Sequence, residues 1–306
     1  MGLLETYLPS CDLAAALRGM QGAVRQNVVL APLAHLRVGG PADWFVEPFH
    51  AKDVAHAVRV FRDNGIPWRI LGGGSNVLIA DEGVRGAVLS LGNLNRITRD
   101  GTTIRVEAGT TMASLLRTTR EQGLAGLETL TGIPAQLGGA VAMNAGTRDG
   151  ETFDRLTSVT LVDPEGSLVE RSRSECSPVY RDGGLAGHVV LDATFALEKD
   201  DPRAIFDRFS ASLKKRNATQ PVTKHSVGCV FRNPKGDAAG RLIEASGCKN
   251  LSVGDIHVSD VHANYFVNLG VGTCAQFRQL MAEVRRRVFD HSGIHLEPEV
   301  KFWGFS

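Results

Sequence analysis

The residues with the most evident chemical capacity are the glycines of Gly72-Gly73-Gly74-Ser75-Asn76. Successive backbone N–H groups with no side chain over them can form a nest for a phosphate or pyrophosphate. For an isolated run, a tight glycine turn is the plainer explanation. The spacing is neither the G-x-G-x-x-G of a Rossmann site nor the Gly-Lys-Ser/Thr ending of a Walker loop. A second stretch, residues 131–146 (TGIPAQLGGAVAMNAG), is also rich in glycine and small residues and reads as another loop of close backbone approach. His225, Cys229, His257 and His262 are of the types that ligate zinc, but they lack the spacing of metal-binding hairpins, and no metal site is expected from them. Taken singly, Cys229 reads as a small buried hydrophobe and Arg181 as a turn-capping arginine. Lys214, Lys215 and Arg216 read as a positive helix end that suits the dipole.

The elements that must hold these groups follow from periodicity and punctuation. Residues 27–48 (NVVLAPLAHLRVGGPADWFVEP) are short extended runs broken by prolines and the Gly39-Gly40-Pro41 turn, after an amphipathic piece at the start of the chain. Val54, Ala57, Val58 and Phe61 have helical spacing. Gly65-Ile66-Pro67 stops that helix before an extended run at Trp68 to Leu71, which makes one βαβ-like unit. Extended runs at Val77 to Ile79 and Ala87 to Leu91 put the glycine run between strands, and TTIRVEAG alternates as a strand does. A helix is predicted over 112–122, strands and hairpins over 156–198 with Tyr180 to Gly184 as a turn, and a boundary at Asp201-Pro202. Further helices are predicted at 205–216, 238–246 and from an N-cap at Thr273 to Gly293. Helices and strands interleave without a steady βαβ rhythm, which indicates α+β domains.

Length and composition bound the rest. The 306 residues suffice for two domains or three small ones, and 43% hydrophobic with 22% charged residues is the balance of a chain that folds unaided. A net charge of +1 provides no uniform field for nucleic acid or an anionic membrane. No run reaches 18 apolar residues, and the first positions carry Glu5 and Asp12 with no basic start, so neither a membrane span nor a signal peptide is expected. Five cysteines, an odd number without a Cys-x-x-Cys pair, suggest free thiols in a reducing cytoplasm.

The order of RVGGPA, LGGGSNVLI, GIPAQLGGAVAMNAG, YRDGG, GCVFRNP, AGRLIEASG, HANYFVN and LEPEV in one chain resembles the UDP-N-acetylenolpyruvoylglucosamine reductase (MurB) family over roughly residues 27 to 303. That resemblance implies an FAD-binding fold of the vanillyl-alcohol-oxidase (PCMH) type plus a smaller α+β substrate-binding domain. The division would be 1–66 and 67–200 for the two parts of the FAD-binding region and 201–306 for the substrate domain. It implies tightly but non-covalently bound FAD, NADPH as co-substrate, and reduction of UDP-N-acetylglucosamine enolpyruvate to UDP-N-acetylmuramate for peptidoglycan synthesis. The enzyme would be cytoplasmic and monomeric, and of the shorter subtype, since no long insertion stands in the last third. An oxidase-type flavoprotein on the same scaffold is the alternative, and a pure binding module a remoter one.

The resemblance also distributes roles. Gly72, Gly73, Gly74, Ser75 and Asn76 would hold the FAD pyrophosphate, with Gly132, Ile133, Pro134, Gly138, Gly139, Asn144 and Gly146 along the rest of the cofactor. Arg37 would either add a charge nearby or form a surface ion pair. The implied chemistry delivers a hydride to the terminal carbon of the enolpyruvyl group and a proton to its neighbour, so charge grows on a carboxylate and must be stabilised. Arg181 matches the family's arginine, whose planar donors suit that carboxylate. Glu299 matches the family's glutamate at the same end, with Glu297 as a solvated neighbour. Cys229 stands where the family usually has a serine proton donor; a thiol, with a reference pKa of about 8.5, is the stronger acid. Tyr180, Asn233, His262 and Asn264 fall at substrate-contacting positions, with Lys215 and Arg216 as candidate diphosphate contacts.

Overall fold

The order of elements in the computed structural model, which describes residues 12–305, is set by where apolar periodicity is strongest. The amphipathic start of the chain, Glu5 and Cys11 lie outside the described residues. Ala51–Asp63 is a helix because Val54, Ala57, Val58 and Phe61 make one apolar face, all buried. Burying Phe61 alone is worth about 1.5–3 kcal/mol. The helix stops at Asn64, and Gly65 takes a left-handed φ of 62° before Ile66-Pro67.

Contacts divide the chain into two units. The first takes in the chain up to Val28 together with Ala42–Gly72 and Arg85–Ser212, and the second takes in Val29–Pro41, Gly73–Val84 and Leu213–Ser306. In the first, a four-stranded sheet has the order Gly22–Val29, Pro41–Pro48, Val84–Ser90, Trp68–Leu71. Its last two strands pair in parallel. The strand, helix and strand expected of that segment, Pro41–Pro48, Ala51–Asp63 and Trp68–Leu71, follow one another in the chain, and the Val84–Ser90 strand lies between the two strands in the sheet. A five-stranded antiparallel sheet follows, ordered Leu168–Ser172, Leu156–Val162, Val189–Ala196, Thr103–Glu107, Ile97–Asp100. The Met112–Glu121 helix is capped by Thr111, which accepts from Ser114 N.

Residues 131–146 differ from the loop expected of them. Leu137–Ala142 is a short helix inside that segment. It forms because Leu137, Ala140 and Val141 bury one face, and because Leu137 N and Gly138 N are already satisfied by Thr110 O and Ala108 O. Tertiary packing thus outweighs the poor helix propensity of two glycines.

In the second unit a four-stranded antiparallel sheet is ordered His225–Cys229, Tyr265–Asn268, Ile256–Val258, Ser252–Val253. The helices Ala239–Ala245 and Cys274–Ser292 share its core, where Phe266 stands between Phe231 and Phe277 at ring-centroid distances of 6.0 and 5.2 Å. The longer helix starts at Thr273, in a capping box with Gln276, and ends at Gly293 with φ 70°. The Asp81 carboxylate accepts from Cys274 N and Ala275 N at 2.8 and 3.0 Å, a negative charge on the positive end of that helix. A separate parallel pair joins Val77–Ile79 to Lys301–Trp303. Among the described residues no helix is long and apolar enough to cross a membrane.

Candidate active site

Cys229 ends the His225–Cys229 strand just after an irregularity. The pairing register with the Tyr265–Asn268 strand shifts between Ser226 and Cys229, and Gly228 between them has φ 74°. A bulge of this kind re-aims the side chain that follows it, which suits glycine at 228. Cys229 is half-buried. The chain beyond it pairs with the Glu299 segment: Glu299 N donates to Val230 O and Arg232 N donates to Glu297 O, both at 2.8 Å, and Phe231 is bridged to Pro298. Cys229 and Glu299 are therefore carried on paired backbone although 70 positions separate them in the chain. Glu299 is 9% exposed, and Glu297 is exposed, as the solvated neighbour should be.

The glycine loop belongs to the same unit from Gly73 onward. Asn76 O accepts from Lys301 N at 3.0 Å, and Asn76 Nδ2 lies 3.5 Å from Glu299 O. Ser75 O is 3.9 Å from where a Cβ on Gly228 would stand. Gly74 needs to be glycine on two counts: its φ is 63°, and a Cβ would come within 2.6 Å of Leu33 O. His35, which sequence reasoning passed over, ties this loop to the Cys229 strand. Its backbone N donates to Gly74 O at 3.0 Å while its Nδ1 lies 3.0 Å from Ser226 O. Nothing in the APLAH segment signals that role. Arg37 is exposed, has φ 61°, and turns its guanidinium back onto Pro32 O.

Asn233 and Asn264 are committed to the protein itself. Asn233 Oδ1 accepts from Ala239 N at 3.0 Å at the start of a helix. Asn264, 1% exposed, accepts from Phe231 N and donates to Phe231 O at 2.9 and 2.8 Å. His262 packs edge-on to Tyr265 with centroids 5.0 Å apart, and burial holds its pKa below the ordinary histidine value. His225, Cys229, His257 and His262 do not assemble as a set: among the described residues no group of three His, Cys, Asp or Glu is arranged to hold a metal.

The first unit holds Arg181, Tyr180 and most of the second glycine segment. Arg181 has φ 60° at the tip of a tight turn in which Val179 and Asp182 exchange backbone hydrogen bonds of 2.8 and 3.1 Å. Its guanidinium lies over the Tyr180 ring, 4.8 Å from the centroid. Asn144 anchors this turn: buried, with φ 41°, it donates to Glu151 Oε2 at 2.6 Å and to Val179 O at 3.3 Å, and accepts from Phe153 N. Gly183 N donates to Ala142 O, and a Cβ there would meet Val141 O at 2.3 Å. Gly146 pairs with Glu151 in a two-stranded ribbon. Gly132 has φ 78°, and Ile133 and Pro134 continue from it into the chain that reaches the short helix.

Three features of this unit suit a bound dinucleotide. A Cβ on Gly139 would meet nothing within 4 Å, and one on Gly72 would approach only Gln136 and Gly139, at 3.8 Å or beyond, so both glycines border open space. Thr110 is 2% exposed, yet its Oγ1 has no hydrogen-bond partner among the described residues. A buried hydroxyl without a partner is costly unless a bound group supplies one. Thr110 follows VEAG in sequence, where nothing polar marks it.

Comparison with known proteins agrees with these observations. Residues 42–172 match a family described as an FAD binding domain, and residues 220–303 match the UDP-N-acetylenolpyruvoylglucosamine reductase C-terminal domain. The chain is 40% identical over 295 residues to the UDP-N-acetylenolpyruvoylglucosamine reductase of Geobacter sulfurreducens, covering 95% of this chain and 98% of that one. The crystal structure of the same enzyme from Thermus caldophilus superposes with a TM-score of 0.79 at 36% identity, over 93% of this chain and 99% of that one. Berberine bridge enzyme from Eschscholzia californica, at 18% identity and a TM-score of 0.51 over 62% of this chain and 44% of its own, shares the fold alone. The α+β, vanillyl-alcohol-oxidase-like architecture and the FAD-binding domain expected from the sequence are thus present, and the chain belongs to the UDP-N-acetylenolpyruvoylglucosamine reductase family of oxidoreductases.

Proposed function

We propose that this chain reduces the enolpyruvyl ether of UDP-N-acetylglucosamine enolpyruvate to UDP-N-acetylmuramate with electrons from NADPH. The observation that supports the reading most is the backbone pairing of Val230 with Glu299, which ties the segment after Cys229 to the Glu299 segment in the unit that also bears Ser75 and Asn76. Non-covalently bound FAD supplies the two-electron relay between nicotinamide and substrate. Gly72 to Asn76 would hold its pyrophosphate, with Gly132 to Pro134, Gly138, Gly139 and Gly146 along its length.

Cys229 releases its proton to the substrate carbon next to the one that receives hydride. A thiol does this with less help than an alcohol would need. Arg181 offers a fixed planar array of donors to the carboxylate on which negative charge grows, and its left-handed backbone at the turn tip fixes where that array points. Glu299 orients the carboxylate end of the substrate. Tyr180 and His262 contact the sugar nucleotide, while Asn233 and Asn264 serve it through the backbone they hold. We read 1–66 and 67–200 as the two parts of the FAD-binding region and 201–306 as the substrate domain of a monomeric, cytoplasmic enzyme of cell-wall precursor synthesis.

An anaerobic titration tests this directly. NADPH added to the FAD-loaded protein should bleach the oxidised flavin absorbance, and the enolpyruvyl sugar nucleotide should restore it stoichiometrically. A protein that takes up no FAD refutes the flavin role, whereas bleaching without recovery refutes the substrate.

A further inference from the structure

Arg216 sits in the last turn of the Pro202–Thr219 helix. A positive charge there suits the helix dipole, and exposed Lys215 precedes it. Arg216 is placed differently. Its Nε is buried and finds no acceptor among the described residues. Burial is the main influence on its guanidinium and lowers its pKa, while Tyr265 and then Cys229 pull in the opposite direction. A buried guanidinium nitrogen without an acceptor is costly, which gives the chain reason to keep one where it meets developing negative charge.

Hydrogen bonding supports the same placement independently. Gln220 N donates to Arg216 O at 2.9 Å, so Gln220 lies one turn on. Tyr265 Oη donates to Gln220 Oε1 at 3.0 Å, and Tyr265 is the residue paired opposite Cys229 across the two strands. The end of the helix is thereby fastened to the strand position that faces the thiol. Ionisable residues on the elements next to the Cys229 strand include Arg216 from the helix, Tyr265 from the neighbouring strand, Glu299 from the segment paired with Val230, and His35, whose ring meets Ser226. Of these, Arg216 carries a positive charge, which favours a negative sulfur.

We propose that Arg216 is a positioning residue for the Cys229 proton donor, its guanidinium stabilising the sulfur after the proton has gone to the substrate carbon. The inference rests on the donor role proposed for Cys229 and deepens it. In the step, the S–H bond breaks and the C–H bond forms. The electron pair of S–H stays on sulfur as a thiolate opposite Arg216, and water returns a proton between turnovers. A cation so placed makes the thiol a stronger acid than a free cysteine, which also means that it must lose donor capacity at a lower pH.

The test uses the FAD-loaded enzyme without substrate. Iodoacetamide alkylation of Cys229 is followed against pH by mass spectrometry of its peptide, since the thiolate alone reacts, forming a thioether and releasing iodide. We expect the wild-type midpoint to lie below the reference of about 8.5 for a free cysteine. Arg216→Gln should move it up by about one unit, a tenfold loss of thiolate on the acid side, and Arg216→Lys should restore most of the shift. A wild-type midpoint above that reference overturns the proposal even if no Arg216 variant folds. An unshifted midpoint in Arg216→Gln with a raised KM for the sugar nucleotide also overturns it, assigning Arg216 to substrate alone. Full turnover by Cys229→Ala would remove the donor role, and this inference with it, whatever the midpoints show.

Discussion

The backbone N–H of Glu299 donates to the carbonyl of Val230 at 2.8 Å, so the thiol of Cys229 and the carboxyl of Glu299 cannot shift independently along their strands. Mutations at the two sites should separate the half-reactions. Cys229→Ala should leave flavin bleaching by NADPH intact and slow reoxidation by substrate about 10²- to 10⁴-fold, the usual weight of a general acid, while Cys229→Ser retains part of the rate. Stopped-flow absorbance of the flavin reads both phases, and a Cys229→Ala enzyme with wild-type reoxidation would remove the thiol from the chemistry.

The four described cysteines should differ sharply towards alkylating reagents. Cys176, Cys248 and Cys274 are buried, and burial raises all three, Cys274 to about 12. Only half-buried Cys229 should be modified by iodoacetamide at pH 8 in the folded protein, with the others following on unfolding. Peptide mapping before and after denaturation checks this.

Neighbouring glycines in the second glycine segment should fail in different ways. Gly138→Ala puts a Cβ 2.9 Å from that of Ala108 and should cost about 1–3 kcal/mol of stability, seen as a lower urea midpoint. Gly139→Ala meets no protein atom within 4 Å, so stability should hold. Its methyl group instead occupies the space assigned to FAD, and FAD affinity should fall by about tenfold or more, a loss of roughly 1.4 kcal/mol. Equal FAD affinity in Gly139→Ala and wild type would move the cofactor elsewhere.

His262 should impose a pH dependence on stability. Burial lowers its folded-state pKa, so below the unfolded value of about 6.5 the unfolded chain binds the proton more readily. The neutral-histidine contribution is complete above that pH and declines as pH falls from about 6.5 towards the lower folded value. Urea midpoints of wild type and His262→Gln between pH 8 and 5 should therefore differ most at the alkaline end and converge towards acid.

What the sequence disclosed depended on how local the signal was. The helices at Ala51–Asp63, Met112–Glu121 and Cys274–Ser292 follow from apolar spacing and from caps such as Thr273 and Gly293. The short helix at Leu137–Ala142 did not, because its first N–H groups are satisfied by Ala108 and Thr110, more than twenty residues earlier. The glycine loops and Cys229 were legible as motifs, but not the link that His35 makes between Gly74 and Ser226. Nor did composition show that Val29–Pro41 and Gly73–Val84 join the C-terminal unit, since neither segment carries a linker's bias.

Asn144 gives a stability handle on the turn that carries Arg181. Asn144→Ala removes donors from Glu151 and Val179 and an acceptor from Phe153, leaving buried groups unsatisfied. The loss should be about 1–3 kcal/mol, read from chemical denaturation. Turnover should fall further than stability predicts, because the Tyr180-Arg181 tip loses its tether.

The parallel pairing of Val77–Ile79 with Lys301–Trp303 has a consequence for biosynthesis. During translation the strand after the glycine loop emerges early and finds no partner until Lys301 leaves the ribosome, on the order of tens of seconds later at about 5–20 residues per second. For that interval an apolar edge containing Leu78 and Ile79, both fully buried at the end, faces the cell bare. Nascent chains of this enzyme should therefore be clients of chaperones that shield short hydrophobic strands.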